Sequence, residues 1–588
     1  MKTRTGTLKV FLSGPLLIGG YTHAGRAVDT ATARDRHGRP VIPSTALKGA
    51  WREAMVRLRS DCCLPWDPCR EKVRCMACAV FGPSGVDRPN VVEEEASART
   101  DDAGWFATGL RLSDATSSGD TSYHTRHGVS IDRYTGAKVD GRLFRREMAV
   151  PRKGEAVFEA DVEARLTDKQ LAALVQSAAL VDGIGNSQSR GVGHVRMELL
   201  LADHTPSRRD YIRVGVRQGA DASVEIEALE PLHLGGLQDG GNVKTSERVV
   251  PGNTLLGALV AAARRVGIDK EQAGRVLGQG GLSASDLLPA RQEYVGLPVP
   301  APRTALQCPS CEDVVVDYVL AEAAARALAR GGMDAGEPPA CPTCASEGRS
   351  STMKPGLSTS VYPGVEIRSR VVTRLARDPA TRSAATGLLH LREQLEPDGL
   401  RFRGTLGGLT EEALEMLQRI AHEPVFVGGG RTRGLGRVKV HLSRLPAAPS
   451  PDERLASFRE EAVRALSGLE GLLGWQPAEL VHVLARTPLD LGDTATVPQG
   501  LNDALFDGRA RLVACWQRTT HRSGWDDWAG KLHSLRAVVA PGSVYLFVVD
   551  GVDPGRLRDA EIHGVGNQTR LGLGRLHIGS PLPLFTGA

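Results

Sequence analysis

The sequence predicts an α+β protein made of tandem ferredoxin-like units, the RRM-like split-βαβ plan, with zinc-binding insertions. Three observations predict it. A glycine- and arginine-rich turn occurs as Gly183-Ile-Gly-Asn-Ser-Gln-Ser-Arg-Gly-Val-Gly-His-Val195, as Val427-Gly-Gly-Gly-Arg-Thr-Arg-Gly-Leu-Gly-Arg-Val438, and as Gly564-Val-Gly-Asn-Gln-Thr-Arg-Leu-Gly-Leu-Gly-Arg-Leu576. Each copy closes a segment of chain, which makes it an internal repeat. The motifs ahead of the turn recur in the same order in the first two segments. Finally, nine of the ten cysteines lie in two tight groups, the pattern of metal binding in a reducing compartment and not of a disulfide framework.

The elements follow in order. Thr7-Leu-Lys-Val-Phe-Leu-Ser-Gly alternates as a strand does, and Leu12-Ser-Gly-Pro-Leu-Leu-Ile-Gly-Gly20 after it is echoed by Leu229-Glu-Pro-Leu-His-Leu-Gly-Gly236. Pro43-Ser-Thr-Ala-Leu-Lys-Gly-Ala50 and Pro251-Gly-Asn-Thr-Leu-Leu-Gly-Ala258 each open an amphipathic helix, about Thr45–Leu58 and Asn253–Val266, because proline suits a helix start and cannot sit further in. Gly141–Glu147, ahead of a strand ending near Phe158, is matched by Gly387–Glu393 ahead of Phe402. A capping box from Thr167 to Gln170 starts the second helix, and Leu409-Thr-Glu-Glu-Ala-Leu starts its counterpart,. Each unit is thus strand, helix, strands, helix, strand, which is the split-βαβ order. The third segment offers a helix at Glu453–Leu473, a strand at Ser543–Val549 and a short helix, and reads as a shortened copy. Polar residues near 203–209 and a Pro/Ala/Ser-rich stretch near 446–452 divide the chain into 1–205, 210–448 and 449–588,.

A chain of 588 residues is too long for one core,. Its 41% hydrophobic and 24% charged residues are ordinary for a globular protein,. Aromatic residues at 4% leave few platforms for base stacking, and a net charge of +5 is compatible with a polyanionic partner,. The longest apolar run, Leu171–Val181, is too short to span a membrane, and the start of the chain lacks a signal-peptide core,. These features point to a cytoplasmic protein without a membrane partner.

The cysteines carry the firmest chemistry. Cys308-Pro-Ser-Cys311 and Cys341-Pro-Thr-Cys344 are paired knuckles on either side of an alanine-rich, helix-like insert. Four thiolates at that spacing suit tetrahedral zinc. The other group is Cys62-Cys-Leu-Pro-Trp-Asp-Pro-Cys69 and Cys75-Met-Ala-Cys78. Here Cys75, Cys78 and Cys69 are ligand candidates, and either Cys62 or Cys63 is the fourth. Both sites read as closed and structural. Nucleophilic and nucleotide-hydrolysing chemistry finds no support: there is no G-x-S-x-G elbow and no G-K-[ST] phosphate loop, and Cys515 lies in an apolar run,. His124 and His127 read as surface residues of a polar loop.

Glycines serve where backbone needs positive φ or close approach, and Arg190, Arg431, Arg433, Arg437, Arg570 and Arg575 among them suit phosphate,. One difference separates the repeats. The loop between Gly19 and Pro43 is eight residues longer than its counterpart between Gly235 and Pro251, and it holds Asp29 and Asp35 among several arginines. A carboxylate there is either an incidental charge on a solvated loop or a base or metal ligand for phosphodiester chemistry.

The Gly-Gly turn, Pro43-x-x-x-Leu-Lys-Gly, Cys75-x-x-Cys-x-x-Phe-Gly82, Ile131-Asp-Arg-Tyr-Thr-Gly136 and the Arg-Gly-x-Gly steps resemble the RAMP proteins of type III CRISPR effector complexes. Residues 1–200 resemble the Cas-seven-type, Csm-three-like backbone subunit. Residues 210–588 resemble the Cas-five-type subunit of the III-D branch, through Pro251-Gly-Asn-Thr-Leu-Leu-Gly-Ala, the cysteine knuckles, the second glycine turn, and Ser523-Gly-Trp followed by Pro541-Gly-Ser-Val. The fusion of the two departs from the family pattern. The resemblance implies that Asp29 cleaves target RNA, with Asp35 following as an accessory position and Mg²⁺ or another divalent cation assisting. It implies that Lys48, Arg133, Gly185, Gly191, Gly193 and the arginines hold CRISPR RNA and its 5′ handle by the phosphates. A hairpin near Ile131–Val150 would act as the thumb that opens the guide–target duplex. The implied partners are CRISPR RNA, target RNA, and the large signalling, further backbone and small subunits. Two other readings stand beside this one: a catalytically silent RNA scaffold, and a precursor-CRISPR-RNA endonuclease.

Overall fold

The computed structural model describes residues 2–20, 28–35, 37–59, 61–62, 75–82, 109–118, 121–203, 210–235, 243–278, 281–291, 296–311, 314–330, 340–354, 365, 367–377, 384–522, 525–526, 531–532 and 535–584. It is a mixed α+β protein in which three sheets built on the same order of four strand positions follow one another along the chain.

In the first unit the strand Lys2–Leu12 lies at the centre of an antiparallel sheet, between Val195–Asp203 and Ala156–Leu166. Leu8, Val10 and Leu12, on one face by the two-residue period, are fully buried,. The short strands Leu110–Leu112 and Ala115–Ser117 pair with the far side of Ala156–Leu166. Numbered along the chain, the strands therefore lie fourth, first, third, second. The helices Ser44–Leu58 and Asp168–Ala178 cover one face. Leu47, Trp51, Ala54 and Met55 recur at helical spacing and fill the core,. The capping box predicted for the second helix is formed, with Gln170 N–H donating to Thr167 Oγ1 and Thr167 N–H to Gln170 Oε1. Phe158 lies near the start of its strand and not at its end, because Lys138–Pro151 is a separate hairpin strand ahead of it.

The second unit repeats this plan. Ala222–Ala228 is central, flanked by Arg437–Arg444 and Arg401–Gly407, with Ser283–Ala284 and Leu288–Ala290 beyond. Helices Gly252–Arg265 and Glu411–Arg419 pack against it.

The third unit is fuller than the shortened copy expected from sequence. Leu480–Ala485 pairs with Leu576–Ile578 and with Val544–Val548, which pairs in turn with Arg511–Trp516, again in the order fourth, first, third, second. Helices Val497–Phe506 and Pro554–Ile562 occupy the two crossover positions. The first strand was missed because Leu480–Ala485 is buried on both faces and shows no alternation,. The helix expected over Glu453–Leu473 is two, Pro451–Ala465 and Glu470–Leu473, separated at Gly468, whose φ is 83°. Helix Val319–Arg330, from the cysteine insertion of the second segment, packs into this third core through Val319, Leu320, Ala323 and Ala327.

One further sheet joins the first two units. The hairpin Thr121–Ile131/Lys138–Pro151 and the hairpin Ser369–Arg377/Ala384–Leu395 are bridged by Gly19–Gly20 and Thr30–Thr32, and Val243–Lys244 adds a seventh strand beside Ala384–Leu395. Arg111 of the first unit and Glu230 of the second form a buried ion pair, and Arg437 reaches the same carboxylate at 3.3 Å.

Candidate nucleic-acid interface and metal centre

The long loop of the first unit is fastened to the Thr121–Ile131/Lys138–Pro151 hairpin at several points. Thr30–Thr32 pairs with Arg146 and Glu147, and the Thr32 hydroxyl donates to the Leu16 and Glu147 carbonyls. Arg34 forms an ion pair with Glu147, and the Tyr123 hydroxyl donates to the Gly38 carbonyl at 2.6 Å. Asp29 is held here and remains exposed. Its N–H donates to the Arg145 carbonyl at 2.9 Å, and its Oδ2 accepts from Arg145 N–H at 2.6 Å. One carboxylate oxygen, Oδ2, is thus committed to backbone. Asp35 does something else. Its carboxylate accepts from the N–H groups of His37 and Arg39 and from Arg39 Nε, so it ties its own turn.

The hairpin beside Asp29 projects outward. His124 and His127 lie on its exposed strand and not in a loop. Arg126, Arg133, Lys138, Arg142 and Arg145 are exposed along it. Near the tip Ile131 and Leu143 are more than half exposed and Tyr134 is fully so. The N–H groups of Thr135 and Tyr134 cap Asp132, holding its carboxyl below the usual range and fixing the turn. Apolar side chains on a basic, solvent-facing hairpin suit a partner with flat faces and a charged backbone.

The other predicted RNA-binding residues divide into exposed and buried. Arg190, Arg433 and Arg570 are exposed, and Arg133 is at the hairpin tip. Arg431 is half-buried, its Nε directed to the Gly428 carbonyl. Lys48, by contrast, is buried, its ammonium donating to the Leu110 carbonyl. Burial first, then Arg433 and Arg111, lowers its pKa to about 7. Arg437 is sandwiched by Glu230 and Glu163. Arg575 is buried against the His563 carbonyl, and burial lowers its pKa to about 10. Each of these three is engaged inside the protein. Gly185 and Gly193 are closely approached by backbone: a Cβ would lie 2.6 Å from the Leu17 carbonyl oxygen and 1.9 Å from that of Ile184. Gly191 faces open space.

Cys308, Cys311, Cys341 and Cys344 converge, with all four sulfurs within 4.8 Å of one another. The Cys308–Cys344 and Cys311–Cys341 separations are both 3.7 Å, which is the edge of a tetrahedron about a cation with ~2.3 Å metal–sulfur bonds. The Ser351 hydroxyl is the largest influence holding the Cys308 thiol below its usual range. In the first cluster, Cys75 caps the helix Met76–Phe81, accepting from Cys78 N–H, and Arg52 approaches Cys78 Sγ at 3.2 Å. Cys62 is buried nearby, and desolvation raises its pKa to about 11. Cys63 and Cys69 lie outside the described residues.

Sequence reasoning missed Asp114 and Asp286. Each follows a serine between two short strands, and each accepts from the first N–H of its unit's first helix, Ser44 or Gly252, at 2.9 Å. The signal was present as Ser113-Asp114 and Ser285-Asp286. Unequal insertions ahead of the two pairs hid the register.

Residues 12–196 match the family model of the RAMP superfamily. The match covers most of the first unit, from the end of its first strand to the start of its last. No curated protein matches the chain. Among the described residues no helix is long and apolar enough to cross a membrane.

Proposed function

We propose that this chain is a CRISPR-RNA-binding subunit of a type III effector complex, in which a Cas-seven-type backbone unit, residues 1–205, is fused to a Cas-five-type part. In this reading the three units are tandem ferredoxin-like domains, a reading supported by the repeated strand order. The first unit holds guide and target, and Asp29 cuts the target RNA once. The observation that carries the proposal is the pairing of an exposed Asp29 with the basic, apolar-tipped hairpin to which its backbone is bonded. It lies within the stretch that matches the RAMP model.

The chemistry follows from that placement. The hairpin wedges between stacked bases, and its arginines meet the backbone, so sequence is read by the guide and not by the protein. Asp29 Oδ1 then acts on a 2′-hydroxyl or ligates a cation beside the adjacent phosphate. Mg²⁺ suits a hard oxygen donor. When bound it would neutralise charge at the phosphate, with Asp29 as the ligand from this loop, since Asp35 is spent on its turn. Two zinc ions would be structural: one on Cys308, Cys311, Cys341 and Cys344, one on Cys75, Cys78, Cys69 and Cys62 or Cys63. The further partners are the large signalling, backbone and small subunits of a cytoplasmic complex.

A silent scaffold is the second reading, favoured by the bonds that tie Asp29 to Arg145. Target cleavage by the assembled complex separates the two. Asp29→Ala should abolish one cut, by roughly 10²–10⁴-fold in rate for a lost base, and leave target binding within about twofold. Asp35→Ala should keep the cut. Wild-type fragments at the wild-type rate from Asp29→Ala would assign this chain the scaffold role.

A further inference from the structure

Two interfaces inside this chain are built to the same design. The 3₁₀ turn Arg431–Arg433 of the second unit sits on the helix start of the first: the Ser44 hydroxyl donates to the Arg433 carbonyl, and Gly434 is so close that a Cβ would lie 2.7 Å from Ser113 Cα. The 3₁₀ turn Thr569–Leu571 of the third unit sits likewise on the second. Asp286 N–H donates to the Gly572 carbonyl at 3.2 Å, and a Cβ on Gly572 would lie 2.2 Å from Asp286 Oδ1. In each seat an aspartate caps the helix, and an arginine from a neighbouring strand of the arriving unit pairs with that aspartate, Arg370 with Asp114 and Arg522 with Asp286. The glycine after the turn is buried in both.

The first unit carries the same turn, Gln188–Arg190, followed by Gly191 in the same left-handed conformation at φ 74°. Here Ser189, Arg190 and Gly191 are exposed, and among the described residues nothing lies within 4 Å of a Cβ at Gly191. The surface that docks in the other two copies is open in this one.

We infer that the Gly183–Gly193 turn is the docking surface for a separate protein chain, which presents a helix start with a small first residue and an aspartate capping its first N–H. The occupant is a different chain and not a second copy of this one. Both aspartate-capped seats of this chain are filled by its own turns. Its third first-position helix, Val497–Phe506, offers no such seat, because it has no side-chain cap at Thr496 and carries Pro498 in its first turn. Assembly consequently grows from the first unit's end. The inference rests on the proposal that the chain works as a subunit, and it holds whether or not Asp29 cleaves.

Photo-crosslinking tests it on the native assembly purified through this chain, with p-benzoylphenylalanine installed at the exposed Ser189. The expected product joins Ser189 to a peptide of a different polypeptide that begins a helix or holds its capping aspartate. Crosslinks to RNA alone, to a copy of this chain, or to nothing in an assembly of native composition would overturn the inference. Gly191→Asn gives a second reading, since asparagine tolerates the left-handed conformation. The isolated chain should keep its Tm within about 1 °C and the assembly should lose the adjacent chain, whereas Gly434→Asn should lower the Tm of the chain itself. Retention of every partner by Gly191→Asn would contradict the docking role. Guide-RNA binding by the isolated chain, measured in parallel, tells failure of this inference from failure of the RNA-binding proposal.

Discussion

At the scale of one residue, Lys48 shows what burial does to a lysine whose motif alone leaves its surroundings open. A lysine at a helix start in a basic protein reads as a phosphate ligand, yet burial makes its neutral form the favoured one and lowers its pKa to about 7,. The folded-state pKa lies below the unfolded value, so between about pH 7 and 10.5 the unfolded chain binds a proton that the folded chain does not,. Stability should therefore rise with pH through this window and be lost as pH falls towards 7. Relative to Lys48→Met, wild-type stability should increase from pH 7 to pH 9 in denaturant titrations, with no relative change below pH 7. A flat difference across the window would mean that Lys48 is solvated. Glu230 makes the opposite case. It lies between Arg111 and Arg437 where the first two units meet, and removing one member of a buried pair leaves charge uncompensated at a cost of about 3–5 kcal/mol. Glu230→Ala should lower the Tm by several degrees and promote separation of the units on limited proteolysis.

At the scale of elements, the paired cysteine knuckles were legible because ligand spacing is a local property. Cys308→Ser should reduce bound zinc by about one ion per chain in elemental analysis. It should also destabilise the third unit, since helix Val319–Arg330 between the knuckles belongs to that core. An unchanged zinc content would remove the site. The helices at Ser44–Leu58 and Gly252–Arg265, and the capping box at Thr167, were legible for the same local reason. Two kinds of element were not. Strand Leu480–Ala485 has no polar face, so periodicity gives no signal,. The roles of the turn arginines were hidden because different positions of one motif face different surroundings. Arg190 is exposed, Arg437 faces Glu163 and Glu230, and Arg575 is buried against His563. Sequence spacing fixes the turn and leaves its neighbour undetermined, which is a long-range matter. Asp29 was singled out by loop length and resemblance, but its attachment to Arg145 depends on a strand more than a hundred residues later.

At the scale of the molecule, three cores with one strand order are stacked so that each later turn closes on the helix start before it, and two hairpins share a single sheet across the first junction. That arrangement holds the basic hairpin and Asp29 on a rigid support, as a site acting on a bound backbone requires. It also leaves Arg133, Arg190 and Arg433 exposed. Contacts of this kind to phosphate release counterions, so RNA affinity should fall steeply with salt and the slope should flatten when they are removed. The central claim is that this chain carries a guide RNA. It is tested most directly by extracting the nucleic acid that copurifies with the native assembly and sequencing it. The account predicts RNA of discrete length with a constant 5′ end and variable sequence beyond it. Heterogeneous cellular RNA without a common 5′ end, or no RNA, would contradict it.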